Sequence, residues 1–132
     1  MKVSLNVIKK FTDINIEVDE LVSKINAQLG GVDEVIDLEA RYKDALIVKV
    51  AECDKHSNAD KLSVCRVDDG GVVKDIPRDE HNLIQVVCGA PNVKKGMWAV
   101  WLPPHSTVPA SFTDREPFVL AARELRGVLS QG

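Results

Sequence analysis

Residues 46–67 read LIVKVAECDKHSNADKLSVCRV, and this stretch decides the fold. Apolar and β-branched residues dominate both of its ends, over 46–51 and 62–67, which predicts two β-strands. The polar middle, 56–62, carries Asn58 and Asp60, whose side chains can bond neighbouring backbone groups. The middle therefore predicts a tight turn between two strands of a sheet.

Three more strand-like segments follow along the chain, over 83–88, 98–102 and 121–125. The run 68–71, Asp-Asp-Gly-Gly, predicts a turn, and the polar stretch 74–82 predicts a surface loop. Five short strands within residues 45–132 favour a small closed or partly open barrel. The OB-fold is the common nucleic-acid-binding example of such a barrel.

The first 44 residues have a different pattern. Helical spacing of apolar residues predicts a short helix over 4–11 and a clearer one over 18–29, which the glycine pair 30–31 ends. Residues 32–38 alternate as in a half-buried strand. The predicted fold class is therefore α+β, with a small helical and strand segment, residues 1–39, packed on a five-stranded OB-fold barrel, residues 40–132.

Composition and charge narrow the possible functions. The chain is 45% hydrophobic and 28% charged, as is usual for a globular protein, and its apolar runs fall short of the roughly 20 residues that span a bilayer. Without a membrane span or a signal peptide, a cytoplasmic location is expected. The net charge is −3, yet residues 45–132 carry eleven basic and eleven acidic side chains. Nucleic-acid binding would thus depend on local basic patches and be salt-sensitive.

The cysteines, Cys53, Cys65 and Cys88, are an odd number without closely spaced pairs, which is a poor disulfide framework and suits a reducing compartment. Cys53 and His56 have a C-x-x-H spacing, so zinc is an alternative. A structural zinc site usually has a second such pair, which the sequence lacks. No metal ligand is therefore predicted.

Three short motifs lie where strands meet loops, over 56–62, 87–93 and 125–132. In the first, Lys61 would meet a phosphate at the barrel mouth, or else be merely solvated. Asn58 can shape the loop or contact nucleic acid. In the last, Arg126 offers a guanidinium fork to a phosphate, or is buried against Glu124.

The middle motif, 87–93, predicts the point at which the chain leaves a strand and bends. Asn92 can stabilise the bend that Pro91 begins, or bond a ribose. Lys94 and Lys95 follow on an exposed turn and are the strongest candidates for phosphate contacts, although adjacent lysines are often only a solvated surface. Trp98 and Trp101 stand three apart on one strand, which places them on opposite faces, one of them in the core.

These motifs resemble the tRNA-binding OB domain shared by several aminoacyl-tRNA synthetases and free-standing tRNA-binding proteins. Residues 1–5, the helix, the glycine pair and the acidic stretch after it resemble the start of the bacterial phenylalanine–tRNA ligase β-subunit family. The resemblance runs from Met1 to Gly132, and it implies an N-terminal fragment whose last strand is incomplete. Where the family has a serine helix cap this chain has Glu17.

The resemblance implies tRNA as a partner, together with the α subunit and the rest of the β subunit in a heterotetramer. The nucleic-acid-binding residues that we predict are Asn58, Lys61, Asn92, Lys94, Lys95 and Arg126. No Walker loop or nucleophile elbow is present, so no catalytic residue is predicted. ATP and magnesium would serve the assembled synthetase and not this piece. An architectural module that stabilises the oligomer remains the alternative.

Overall fold

The computed structural model of the chain describes residues 1–132, and residues 46–67 form the central antiparallel pair of its sheet. This pair consists of strands β1 (Leu46–Lys55) and β2 (Ser63–Asp68). Strand β3 (Ile84–Cys88) pairs with β2, and β4 (Trp98–Trp101) pairs with β1, each antiparallel. The strand order is β3-β2-β1-β4, and a separate hairpin is formed by β5 (Arg123–Leu125) and β6 (Val128–Ser130).

The predicted five-stranded barrel does not form as such. The last predicted strand is a two-stranded hairpin, and the four-stranded sheet is not closed by a ladder. The C-terminal segment instead lies along β3 through mixed bonds. The Gln131 N–H donates to the Gln85 carbonyl at 3.0 Å, and the Val87 N–H donates to Ser130 Oγ at 2.9 Å. Because a side-chain oxygen takes the place of a carbonyl, strand-like contact occurs without a regular ladder.

A β-bulge sets which residues of β1 face the core. The register between β1 and β2 shifts between Val50 and Glu52. Val48 and Val50 are buried before the shift, and Cys53 packs on the same core after it. An extra residue thus restores the inward phase along the strand. The buried apolar cluster comprises Val48, Val50, Cys65, Val67, Ile84 and Trp101.

Residues Met1–Asp37 form one compact unit, and Leu38–Gly132 form the other. The first contains helix α1 (Leu5–Ile8) and helix α2 (Val18–Gln28), which confirms the two predicted helices, the first of them shorter than predicted. The predicted strand over 32–38 is wrong. Residues 32–37 have no neighbouring strand to pair with, and helix α3 (Leu38–Tyr42) begins where the strand was expected to end.

The long connection between β2 and β3 contains no helix or strand, as the polar stretch 74–82 predicts. An ion pair holds it to the end of β2. Arg78 Nη1 lies 2.8 Å from Asp69 Oδ1, and the second Nη lies 3.0 Å from Oδ2, which makes a bidentate fork. The Asp69 carboxylate also accepts the backbone N–H groups of Gly71 and Val73. No helix of the chain is long and apolar enough to cross a membrane.

Candidate nucleic-acid interface

The first two motifs leave the sheet at the same end. Strand β1 ends at Lys55, which pairs with Ser63 at the start of β2, and Ser63 pairs in turn with Cys88 at the end of β3. The loop 56–62 and the segment 89–93 therefore lie side by side. Antiparallel pairing brings these two motifs together although Ser63 and Cys88 are 25 positions apart in the chain.

His56 joins the first motif to the third. His56 is 5% exposed, and its Nδ1 accepts the Asn58 N–H at 3.0 Å. Its Nε2 lies 3.0 Å from the Leu125 carbonyl oxygen. Because a carbonyl can only accept, we assign the ring proton to Nε2, which donates to Leu125. A neutral His56 thus fixes the β5–β6 hairpin beside the loop 56–62.

Replacing His56 with alanine is expected to lower the free energy of unfolding by about 2 kcal/mol, because it removes two hydrogen bonds at a buried ring. Urea denaturation followed by circular dichroism measures the change. His81 provides the matched control, since its side chain is 72% exposed and its alanine variant should stay within about 0.5 kcal/mol of wild type. Equal effects of the two variants would contradict the role assigned to His56.

Arg126 stands at the tip of the hairpin. Arg126 and Gly127 have φ values of 52° and 89°, so both central residues of this two-residue turn are left-handed, as a type I′ turn requires. Gly127 adopts this conformation at no steric cost. The interpretation that Arg126 is buried against Glu124 is wrong, because Arg126 is exposed and Glu124 pairs with Leu129 across the hairpin. The turn presents the guanidinium to solvent.

The lysine pair lies on a turn beside β1. The Gly96 N–H donates to the Val50 carbonyl at 2.7 Å, and the Val50 N–H donates to the Met97 carbonyl at 2.9 Å. These bonds anchor the turn at the bulge of β1. Lys94 and Lys95 are both exposed on this turn.

The structure leaves all six predicted contact residues exposed: Asn58, Lys61, Asn92, Lys94, Lys95 and Arg126. None of the four basic side chains among them forms an ion pair, since the ion pairs of the chain involve other residues. Four of the six, Asn58, Lys61, Asn92 and Arg126, belong to loops at one end of the sheet. Lys94 and Lys95 follow Asn92 closely in the chain, on the turn that Gly96 and Val50 anchor.

The two tryptophans point to opposite sides of the sheet, as predicted. Trp101 is 5% exposed, whereas Trp98 is 67% exposed. Trp98 pairs across the strands with Lys49, which is also exposed. Sequence reasoning did not single out Lys49, because only the pairing register places it beside an aromatic ring. An indole next to an ammonium group suits a stacked base near a phosphate.

The zinc alternative finds no site. Both ring nitrogens of His56 are engaged in hydrogen bonds, so the imidazole offers no free lone pair beside Cys53. No group of three or more histidine, cysteine, aspartate or glutamate side chains is arranged to hold a metal ion.

Residues 46–132, which contain all three motifs, match the family described as "Putative tRNA binding domain". The chain belongs to this tRNA-binding family. The match begins at the first residue of β1 and continues through the hairpin and the C-terminal segment. The geometry described above is therefore that of a tRNA-binding family member.

Beyond the family domain, the whole chain is similar to subunits named phenylalanine–tRNA ligase beta subunit. It is 38% identical over 132 residues to that of Synechococcus sp. (strain CC9605), covering 100% of this chain and 15% of the relative. It is 35% identical over 135 residues to that of Rhodopseudomonas palustris (strain ATCC BAA-98 / CGA009), with the same coverage. The resemblance to this subunit family is thereby confirmed, and the chain spans about 15% of the length of these curated relatives.

Proposed function

We propose that this domain is a non-catalytic tRNA-binding module that acts within a phenylalanine–tRNA ligase β subunit and supports the attachment of phenylalanine to its tRNA. The convergence of three exposed motif loops at one end of the sheet carries this proposal. His56 holds two of these loops together, and pairing of β2 with β3 brings in the third. Residues 1–39 would be the N-terminal segment of the subunit, and residues 40–132 its tRNA-binding domain.

In this proposal the basic side chains contact phosphates, and the side-chain amides of Asn58 and Asn92 contact sugars or loops of the RNA. Lys61, Lys94, Lys95 and Arg126 are unpaired and exposed, so little reorganisation precedes contact with a phosphate. Asn58 and Asn92 lie beside them on the motif loops. Because acidic and basic side chains balance over residues 45–132, affinity arises from these local positions and falls steeply with salt.

The remaining partners belong to the whole synthetase. We propose that the α subunit and the rest of the β subunit assemble with this domain into a heterotetramer in the cytoplasm. ATP and magnesium would serve that assembly. The support for this part is the similarity of the entire chain to phenylalanine–tRNA ligase β subunits.

Fluorescence anisotropy of labelled tRNA, titrated with the protein at low and near-physiological salt, tests the proposal. We expect saturable binding that weakens with salt. Replacing Lys94 and Lys95 together with alanine should weaken it about tenfold and reduce the salt slope by roughly two, since two phosphate contacts are lost. If binding is saturable but its affinity changes neither with salt nor with this substitution, the assigned contacts are refuted.

The chain offers a matched control for the lysine pair. Lys9 and Lys10 are also adjacent and exposed, but they lie outside the matched range 46–132. Replacing them with alanine changes the net charge by the same amount. Because they lie outside the matched range, their variant should bind tRNA as wild type does. An equal loss in both double variants would mean that binding follows net charge and not the site.

A second candidate function is architectural. Ile47 and Val100 pair across β1 and β4 and are each 72% exposed, with Trp98 on the same strand. An apolar patch of this kind is typical of an interface with another domain. Val100→Asp in the full-length subunit should then impair assembly of the α and β subunits, as sedimentation velocity would show. If assembly stays intact, the architectural function is excluded for this patch.

A further inference from the structure

Two cysteines that are distant in sequence face one another across the central strands. Cys53 on β1 and Cys65 on β2 are direct cross-strand partners. Their Sγ atoms lie 3.7 Å apart, with the Cys65 thiol donating to the Cys53 sulfur. Both thiols are free. The β-bulge is what places them together, because it turns Cys53 inward after Val50.

The cross-strand pairing of Cys53 and Cys65 is compatible with a disulfide between them. Directly opposed residues of antiparallel strands have Cα atoms about 4.5–5.5 Å apart. Disulfides span Cα separations of about 4.4–6.8 Å. Formation of the disulfide would bring the two sulfurs from 3.7 Å to about 2.05 Å.

The third cysteine has a different environment. Cys88 pairs with Ser63 across the strands, not with either of the other cysteines. Its sulfur accepts the backbone N–H of Ala90 at 3.4 Å. Cys88 is therefore the natural reference thiol of the chain, near the pair and outside it.

We propose that Cys53 and Cys65 form a redox modification site, which a low-molecular-mass disulfide such as glutathione disulfide oxidises to an intramolecular disulfide between β1 and β2. This proposal goes beyond tRNA binding and stands whether or not the domain binds RNA. It rests on the cross-strand register, the thiol contact and the unequal burial of the two residues.

The chemistry proceeds by two thiol–disulfide exchanges. The Cys53 thiolate attacks one sulfur of glutathione disulfide, forming a Cys53–glutathione bond and releasing one glutathione thiolate, which takes up a proton. Cys65 then loses its proton and attacks the Cys53 sulfur, forming the Cys53–Cys65 bond and releasing the second glutathione. The protein loses two electrons and two protons, and the oxidant is reduced to two thiols.

Burial sets the order of the two steps. Cys53 is half-buried, whereas Cys65 is 1% exposed, so we expect the Cys53 thiol to meet the oxidant first. Burial, the hydrogen bond with Cys53, and the neighbouring Cys53, Cys88 and Asp54 raise the pKa of the Cys65 thiol to about 12. Because the thiolate is the attacking form and burial of Cys65 disfavours it, we expect the second exchange to be the slow one and to accelerate with rising pH.

Oxidation has a local structural consequence. In the reduced protein Cys53 donates its own S–H to the Val93 carbonyl at 3.8 Å, so the two thiols form a relay from β2 to the segment 89–93. A disulfide has no S–H, and this weak bond is lost. The amides of that segment are therefore expected to exchange faster with solvent in the oxidised protein.

The experiment equilibrates the purified protein with buffers of increasing glutathione disulfide to glutathione ratio, then alkylates the remaining thiols for intact mass and peptide mapping. We expect two thiols to disappear together, a linked peptide pair containing Cys53 and Cys65, and an alkylated Cys88. Dithiothreitol should restore all three thiols. A wild-type product that retains glutathione, or a Cys53–Cys88 link, would overturn the proposal.

Variants separate the pair from the third cysteine. Cys88→Ser should oxidise as wild type does, with the same linked peptides. Cys65→Ala should stop at a single glutathione adduct on Cys53, and Cys65→Val provides a second version with a filled core position. Circular dichroism identifies which version is folded. A folded Cys65 variant that still forms an intramolecular disulfide would refute the assignment.

Discussion

Replacing Trp101 with alanine is expected to lower the free energy of unfolding by about 3–5 kcal/mol, the usual cost of removing a buried tryptophan. The Trp101 side chain belongs to the buried cluster and is 5% exposed. Its indole N–H also donates to the Gln131 carbonyl at 2.7 Å, which ties β4 to the C-terminal segment. The substitution therefore opens a cavity and releases that segment.

The control for Trp101 lies on the same strand. Trp98→Ala removes an identical side chain that is 67% exposed, and it should change the free energy of unfolding by less than about 1 kcal/mol. Urea denaturation monitored by circular dichroism compares the stability of the two variants. Each variant still contains one tryptophan, so its fluorescence provides an independent check. Equal destabilisation by the two variants would contradict the assignment of Trp101 to the buried face of β4 and of Trp98 to the exposed face.

Replacing Arg78 with alanine is expected to cost about 3 kcal/mol, because it leaves the Asp69 carboxylate buried without its counter-charge. The side chain of Asp69 is 0% exposed and that of Arg78 is 14% exposed. Arg78 also donates to the carbonyls of Val73 and Asn82, so the loop loses three attachments at once. Chemical denaturation of the variant measures the loss.

Two variants isolate the cause of this loss. Arg78→Lys keeps the charge but cannot form the bidentate fork, so an intermediate destabilisation is expected. Arg66→Ala removes a partner of Asp79 in an ion pair 3.6 Å long that is partly exposed, and it should cost less than about 1 kcal/mol. If Arg66→Ala proved as costly as Arg78→Ala, burial would not explain the effect.

The same ion pair makes stability depend on acid pH. Hydrogen bonds from Arg78, opposed by burial and aided by the backbone N–H groups of Val73 and Gly71, hold the pKa of Asp69 well below its usual range. A carboxyl with a lowered folded-state pKa stabilises fully above its unfolded value of about 3.9 and loses that contribution as the pH falls further. Stability should thus fall below about pH 4. The fall should be smaller in Asp69→Asn, where the hydrogen bonds that lower the pKa of Asp79 still contribute.

The spacing of apolar residues was sufficient to locate the four strands of the main sheet. Each predicted segment, such as 46–51 or 83–88, overlaps a strand of the structure, because its apolar residues recur at the period of a sheet with a buried face. The same criterion failed over 32–38, where alternation occurs without a partner strand. A strand is stabilised by pairing, and pairing is a property of two segments.

The hairpin near the C-terminus shows a second limit of local reasoning. Residues 121–125 predicted a single strand, whereas the chain turns at Arg126 and Gly127 and returns as β6. The three-residue strands are too short for a periodic pattern. Gly127 is of a residue type that such turns favour, yet the preceding arginine in a left-handed conformation is not a residue that turn preferences single out.

By itself, the sequence determined where the strands of the main sheet lie, that Trp98 and Trp101 face opposite ways, and which family the motifs resemble, since all of these depend on local spacing. Only the tertiary structure decided that His56 holds two motifs together, that Asp69 meets Arg78, and that the thiols of Cys53 and Cys65 touch. For the thiol pair the physical reason is register. The β-bulge of β1 shifts the side-chain phase by one residue, and such a shift exchanges the two faces of a strand.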